Sequence, residues 1–531
     1  MNQQADFFTG AAPMELPTLY PDQDLAVQAL RANIQKKVWT QCLSAPTGAG
    51  KTQLATYMMG SALSMIRRAL FVVDRVALID QTSAVLDSYN IPHGVLGGAR
   101  TRDERSDLVV ASAQSMEARG WWPEDFHVVF IDEAHCQRQK VRDWIVNLKG
   151  LGIPVIGLTA TPFSVGMGNV YDEVVQKSTT NRLIGEGRLA PLKVYIARSL
   201  IDMSGAPLSA GEWTGLGVEE RSAQVYGDIV SEWVDKTNKE FGGPVKTLVF
   251  SATVAHGDEI CRVFQSAGHE FYQISYKDGN DDRRAGIIER FRRGEIMGLV
   301  SVDALSRGFD VPDAKCLICA RPLRKSLAMH IQMIGRLMRS APGKEFGLLI
   351  DHTFNWPNFE EETRDFFEHG CDSLNDERYR PKAKPPKKER VDISCLGCGY
   401  ALPPSAQVCP SCGRERPKRK CLVEVAPGKL VEAQGIDGTY PDFKGSERDL
   451  WREICKIAKE RHPLDTTRAL AFARAQHKNL HGRYRLWPLE PKQGEVHTGV
   501  RFLVERQFRQ WQAKMKKKKK LAKERAKESV A

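Results

Sequence analysis

Two stretches hold residue types whose spacing could do chemistry. Residues 130–137 read FIDEAHCQ after HVV, so an apolar run ends in adjacent carboxylates, Asp132 and Glu133. Such a pair at a strand tip is costly unless a cation or a reacting group uses it. Residues 45–52 read APTGAGKT after a strand-like CLSA. Gly48 and Gly50 let backbone N–H groups approach an anion, and a helix starting there adds its positive end. Pro46, Thr47 and Ala49 complete the loop. Lys51 is spaced for the β- and γ-phosphates and the Thr52 hydroxyl for Mg²⁺. Ala45 stands where the general GxxxxGK[ST] pattern has its first glycine. A phosphate loop explains the acidic pair: Asp132 would hold Mg²⁺ through water, and Glu133 would take a proton from the attacking water. The reaction would turn ATP into ADP and phosphate.

The elements that must position these residues follow from the apolar pattern. RALFVV (68–73), DLVVAS (107–112), HVVFID (127–132) and VIGLTAT (155–161) read as buried parallel strands with helices between them. TLVFSAT (247–253), EFYQIS (270–275), GLVSVD (298–303), KCLICA (315–320) and FGLLID (346–351) form a second series. Two such series imply two α/β lobes, with residues 163–245 bridging them. The expected divisions are lobe 1 over 15–200, lobe 2 over 201–355, and a basic Pro/Lys-rich linker over 356–392. A cysteine module over 393–416, a small mostly helical region over 417–510 and a lysine-rich tail over 511–531 complete the chain.

The chain has 531 residues, 42% hydrophobic and 27% charged, with a formal charge of +12. These values fit a globular protein of several domains. Nothing reads as a transmembrane run, and MNQQADFFTG lacks the pattern of a secretory signal, so a cytoplasmic setting is expected. The basicity is concentrated at 378–390, 414–420 and 514–527, which carry +6, +4 and +8. Runs of this kind either contact nucleic acid or form a solvated tail.

The chain resembles the superfamily 2 helicases, through APTGAGKT, DEAH (132–135), GLTATP (157–162), LSRGFDVP (305–312) and QMIGRLMR (332–339). RGFDVP, RPLRKSLAMHIQMIGRLMRSAPGK and LLIDH are most similar to the RadD group of DNA repair helicases. The resemblance implies two RecA-like lobes. It places Gln23 of LYPDQDLAVQAL at the adenine edge; the family usually has Arg and Tyr just before that glutamine, where Tyr20 and Asp22 stand here, and Tyr20 would stack on the base. It implies that His135, Thr159 and Thr161 couple nucleotide state to the grip on nucleic acid, and that Gly308 and Asp310 lie near the ribose and Mg²⁺. Gln332, Arg336 and Arg339 would face the γ-phosphate from the second lobe; taken alone, QMIGRLMR reads as a basic helix surface. Arg75 and Gln81 would follow the nucleic-acid backbone, with SAQSM (112–116) and FSATVAH (250–256) supplying further contacts.

Cys395, Cys398, Cys409 and Cys412 form CxxC, ten residues, CxxC, each pair followed by glycine. That spacing suits a tetrahedral, structural Zn²⁺. Cys316 and Cys319 also form CxxC, but inside an apolar strand, where core cysteines are expected. Trp451, Ile454 and Ala458 recur at helical spacing and read as a small core; WPLEP (487–491) has no assigned role. The expected function is an ATP-dependent helicase or translocase acting on single-stranded, forked or branched DNA in repair or replication. A single-strand-binding protein is a partner by resemblance, and a bacterium or phage-infected cell is the setting, the protein being nucleoid-associated when bound. An RNA helicase and an ATP-gated clamp without translocation use the same motifs.

Overall fold

The computed structural model describes residues 14–375 and 446–508, with interruptions of which 197–207, 214–228, 275–280, 303–310 and 482–486 are the longest. Short pieces at 393–394, 401–402, 412–414 and 431–432 are described as well. The first sheet contains β1 (Thr40–Ser44), β2 (Ala69–Val73), β3 (Gly94–Leu96), β4 (Leu108–Ser112), β5 (Val128–Ile131), β6 (Val155–Thr159) and β7 (Glu173–Val175). Their order is β3-β4-β2-β5-β6-β1-β7, and every pairing is parallel. Both faces of this sheet are covered. Phe71 and Val73 enter one apolar cluster with helices Pro21–Gln35 and Lys51–Ser64, while Leu70 and Val72 enter another with helix Gln139–Gly150. Period-two alternation between two cores is why these strands read as unbroken apolar runs.

A second sheet follows with β8 (Leu192–Ile196), the small hairpin β9 (Leu208–Ser209) and β10 (Glu212–Trp213) standing apart from it, then β11 (Thr247–Ser251), β12 (Phe271–Ile274), β13 (Gly298–Ser301), β14 (Cys316–Ala320) and β15 (Gly347–Asp351). Another separate hairpin, β16 (Ile393–Ser394) with β17 (Ala401–Leu402), precedes the edge strand β18 (Val431–Glu432). The order is β12-β13-β11-β14-β15-β8-β18. All pairings are parallel except β18 against β8. The molecule is therefore a pair of RecA-like parallel-sheet lobes. In β14, Cys316 and Cys319 are fully buried on opposite faces, and burial holds both thiols well above their ordinary range.

Three expected boundaries move. Leu192–Ile196 was assigned to lobe 1 over 15–200, but β8 is hydrogen-bonded to β15 in the second sheet. The linker over 356–392 loses its first part to helix Asn355–His369, whose Trp356, Phe359, Phe366 and Phe367 are buried in the second-lobe core. The sequence NWPNFEEETRDFFEH carries those aromatics at helical spacing, and buried Asp351 at the end of β15 fixes the start. Its carboxylate accepts from the Thr353 N–H at 2.8 Å, the Thr353 hydroxyl at 2.6 Å and the Trp356 N–H at 2.6 Å. Finally, Val431–Glu432, placed in a helical region over 417–510, forms the edge strand β18.

Farther along, helices Glu447–Arg461 and Thr466–His481 pack together. Ser446 and Asp449 cap the first helix reciprocally, and Trp451, Ile454 and Ala458 are buried at its centre. WPLEP closes this small core: the Trp451 indole N–H donates to the Pro488 carbonyl at 2.9 Å, and Glu490 pairs with Arg448.

Because helix Asn355–His369 completes a core, Trp356→Ala should cost about 3–5 kcal/mol of stability in the second lobe. Denaturant unfolding of the full chain measures this; a loss below about 1 kcal/mol would return the helix to the linker.

Candidate nucleotide site between the lobes

The two sheets present their carboxyl ends to one cavity of about 550 Å³, lined by Lys51, Thr52, Asp132 and Glu133 from lobe 1 and by Arg336 and Arg339 from lobe 2. This is the size range of small-molecule sites. The loop after β1 is shaped by two left-handed glycines, Gly48 at φ 88° and Gly50 at φ 80°. A side chain at either would also collide: a Cβ on Gly48 would lie 2.8 Å from Leu189, and one on Gly50 2.8 Å from the Gln23 amide. Gly50 caps helix Lys51–Ser64, so exposed backbone N–H groups face the cavity mouth.

Lys51 donates to the Ala45 and Pro46 carbonyls at 3.1 and 3.4 Å. Burial pushes its ammonium down to about 8, against the pull of Glu133 and Asp132. Asp132 is held well above the usual carboxylate range by burial first and Glu133 second. Its Oδ1 accepts the Glu133 N–H at 2.9 Å. Glu133 itself has a left-handed backbone, φ 45°, a conformation non-glycine residues enter at a cost. A divalent cation is the group that relieves two half-buried, mutually repelling carboxylates, and Asp132 with the Thr52 hydroxyl fits the oxygen set Mg²⁺ takes.

His135 connects the lobes. The Gln332 amide nitrogen lies 2.6 Å from its Nε2 and donates to it, leaving Nδ1–H to reach the Thr159 hydroxyl at 2.9 Å. Glu133 Oε2 is 3.4 Å from the same Nδ1, and the Thr159 hydroxyl also accepts the Thr161 N–H at 3.0 Å. The structure thus joins Glu133, His135, Thr159, Thr161 and Gln332 in one polar network. Arg339 passes over the phosphate loop, its Cγ 3.2 Å from where a Gly48 Cβ would stand, and a Gly335 Cβ would lie 2.5 Å from Thr47.

Other expected residues have different surroundings. Gln23 is buried and occupied: its amide donates to the Ala49 carbonyl at 3.0 Å, and its oxygen accepts the Tyr20 N–H at 3.0 Å. The Tyr20 ring, expected to receive the base, has the Arg188 guanidinium 3.8 Å from its centroid. Gln81, expected along nucleic acid, lines the nucleotide cavity from helix Ile79–Ser88. Ser112 and Thr253 cap helices by accepting the Ser115 and His256 N–H groups. Arg75, Gly308, Asp310, Cys395, Cys398 and Cys409 lie outside the described residues; Cys412 is described and exposed. Arg188 and Ser340 line the cavity without having been anticipated. Arg188 falls in GEGRLAP, which carries no motif, and only its long-range pairing with Asp22 reveals it.

The family described as "Type III restriction enzyme, res subunit" matches residues 16–164, and "Helicase conserved C-terminal domain" matches 231–341. A "51.5 kDa protein" of a Lactococcus phage is 28% identical over 410 residues, covering 74% of this chain and 83% of its own. The "Putative ATP-dependent helicase IRC3" of Saccharomyces cerevisiae is 25% identical, covering 63% of this chain and 51% of its own, so the chain spans about half of that relative. Among solved structures, a fragment of a putative HsdR subunit of a type I restriction enzyme from Vibrio vulnificus superposes with TM-score 0.50 at 20% identity, covering 69% of each chain; this likeness concerns the fold. No helix among the described residues is long and apolar enough to cross a membrane.

The close seat of Gly335 on Thr47 yields a direct check. Gly335→Ala should lift the second lobe off the phosphate loop and lower ATP turnover about 100-fold while ATP still binds lobe 1. Turnover within about threefold of the unaltered protein would mean that this contact is dispensable.

Proposed function

Because the chain belongs to the superfamily 2 helicases, nucleic-acid-dependent ATPases built on two RecA-like lobes, we propose that it uses ATP to translocate on or remodel single-stranded, forked or branched DNA in repair or replication. The observation that carries this reading is the convergence of Lys51 and Glu133 from one lobe with Arg336 and Arg339 from the other on a single cavity. Hydrolysis completed between lobes changes the distance between them, and that movement is what a motor transmits to a bound strand.

In this reading the phosphate loop and Lys51 hold the triphosphate. Glu133 takes the proton of the attacking water as its oxygen bonds to the γ-phosphorus, and the bond to the β–γ bridging oxygen breaks to release ADP. Arg336 and Arg339 neutralise charge on the departing phosphoryl group. Mg²⁺, held by Thr52 and Asp132, would supply Lewis-acid neutralisation of the β- and γ-oxygens. His135 and Gln332 report the state of the site across the cleft through their hydrogen bond. By resemblance, Gly308 and Asp310 are proposed to act near the ribose and Mg²⁺, and Arg75 on the track. DNA is favoured over RNA by the restriction-enzyme family match and by the resemblance of the second-lobe motifs to the RadD group. The phage relative supports a phage-infected cell as the setting, and a single-strand-binding protein is the partner to test first.

Cys395, Cys398, Cys409 and Cys412 are proposed to hold a structural Zn²⁺, beside basic segments that add sequence-independent affinity for DNA. Metal analysis should find about one zinc per chain, lost together with the module's protease resistance in Cys395→Ser; a metal-free, equally resistant protein would refute the site. Deleting 514–531 should flatten the salt dependence of DNA binding.

The function itself is tested by steady-state ATPase at one fixed salt, alone and with single-stranded, duplex and forked DNA and with RNA, Glu133→Gln serving as the inactive control. Stimulation of about tenfold or more by DNA and little by RNA is expected. Stimulation by RNA alone would identify an RNA helicase, and none by any polymer would leave a partner-dependent switch.

A further inference from the structure

We propose that Arg188 is the residue that receives the nucleobase, a specificity-determining position of the same cavity; the inference rests on the ATPase reading above. Its guanidinium lies 3.8 Å from the centre of the Tyr20 ring. Nη1 is paired at 2.6 Å with Asp22, itself buried, and lies 3.3 Å from Glu186. The side chain is only 13% exposed. Nη2 is buried and, among the described residues, has no hydrogen-bond partner. Ring below and carboxylate at the edge hold the guanidinium as a fixed plane.

The chemistry of that plane selects its ligand. Two carboxylates already neutralise Arg188, so a phosphate gains little there, whereas an uncharged aromatic ring gains a stacking surface. The Gln23 amide, the residue expected at the base edge, is instead spanned between Ala49 and Tyr20 and serves to anchor this platform to the phosphate loop. Arg188 is also tied to the second lobe. Its carbonyl accepts the Ser340 hydroxyl at 3.0 Å, and the next residue, Leu189, forms a bridge with Arg339. Base occupancy is therefore two residues of backbone away from an arginine that faces the phosphates.

The test compares ATP with ribose 5′-triphosphate, which keeps the sugar and phosphates and lacks the base, in steady-state hydrolysis by the full chain at saturating DNA. Arg188→Ala should raise KM for ATP about tenfold, with the loss in KM rather than kcat, and leave KM for ribose 5′-triphosphate unmoved. Tyr20→Ala, which removes the supporting ring without stranding a buried charge, should raise KM for ATP in the same selective way. Arg188→Lys should fail to restore it, because an ammonium can pair with Asp22 but offers no plane. Equal rises in KM for both substrates, an unchanged KM for ATP in Tyr20→Ala, or full rescue by lysine would each overturn the assignment. Failure of the unaltered protein to hydrolyse any triphosphate would instead sink the ATPase reading, and this inference with it.

Discussion

The structure depends on charges held where water cannot fully reach them. Lys51, Asp132 and Glu133 from one lobe face Arg336 and Arg339 from the other, and burial weakens the claim of Lys51 and Asp132 to their charges. Burial lowers the Lys51 ammonium to about 8 and raises the Asp132 carboxyl. An arrangement of this kind is poised for a ligand carrying both signs: a polyanion for the lysine and arginines, a cation for the carboxylates. Removing either lobe removes half of the compensation, which is why the fold needs two.

Rigid elements fix those charges. Parallel strands buried on both faces end at a common edge, and the carboxyl ends of β1, β5 and β6 deliver the phosphate loop, the acidic pair and Thr159 to one place. The second lobe delivers helix Leu327–Leu337 against that edge, close enough that Gly335 has no room for a side chain beside Thr47. Backbone links run beside it: the Ala190 N–H donates to the Met338 carbonyl at 2.7 Å, and the Gly347 N–H to Pro191 at 2.8 Å. The segment 188–191 is thus a strap between the nucleotide cavity and the second sheet.

Much of this was legible in the sequence because it is local. APTGAGKT, DEAH and the apolar runs are contiguous, and a strand buried on both faces carries its signature within five residues. What escaped depends on distant partners. LKVYI follows the first lobe in sequence, and only its pairing with β15 assigns it to the second. NWPNFEEETRDFFEH adjoins a lysine-rich segment whose composition masks its aromatic stripe. Gln81 was placed on the track by motif position; that it also lines the cavity follows only from the placement of its helix. Arg188 has no motif at all; its meaning comes from Asp22 and Tyr20, more than 160 residues earlier in the chain.

The central claim is that the two lobes act as one catalytic unit through the His135–Gln332 hydrogen bond. A double-mutant cycle on nucleic-acid-stimulated ATP turnover tests it most directly, using His135→Ala, Gln332→Ala and the double variant. Coupling through a shared bond makes the second substitution nearly silent, so the double variant should turn over no more slowly than the worse single one. Losses that multiply would show two independent residues and contradict the account.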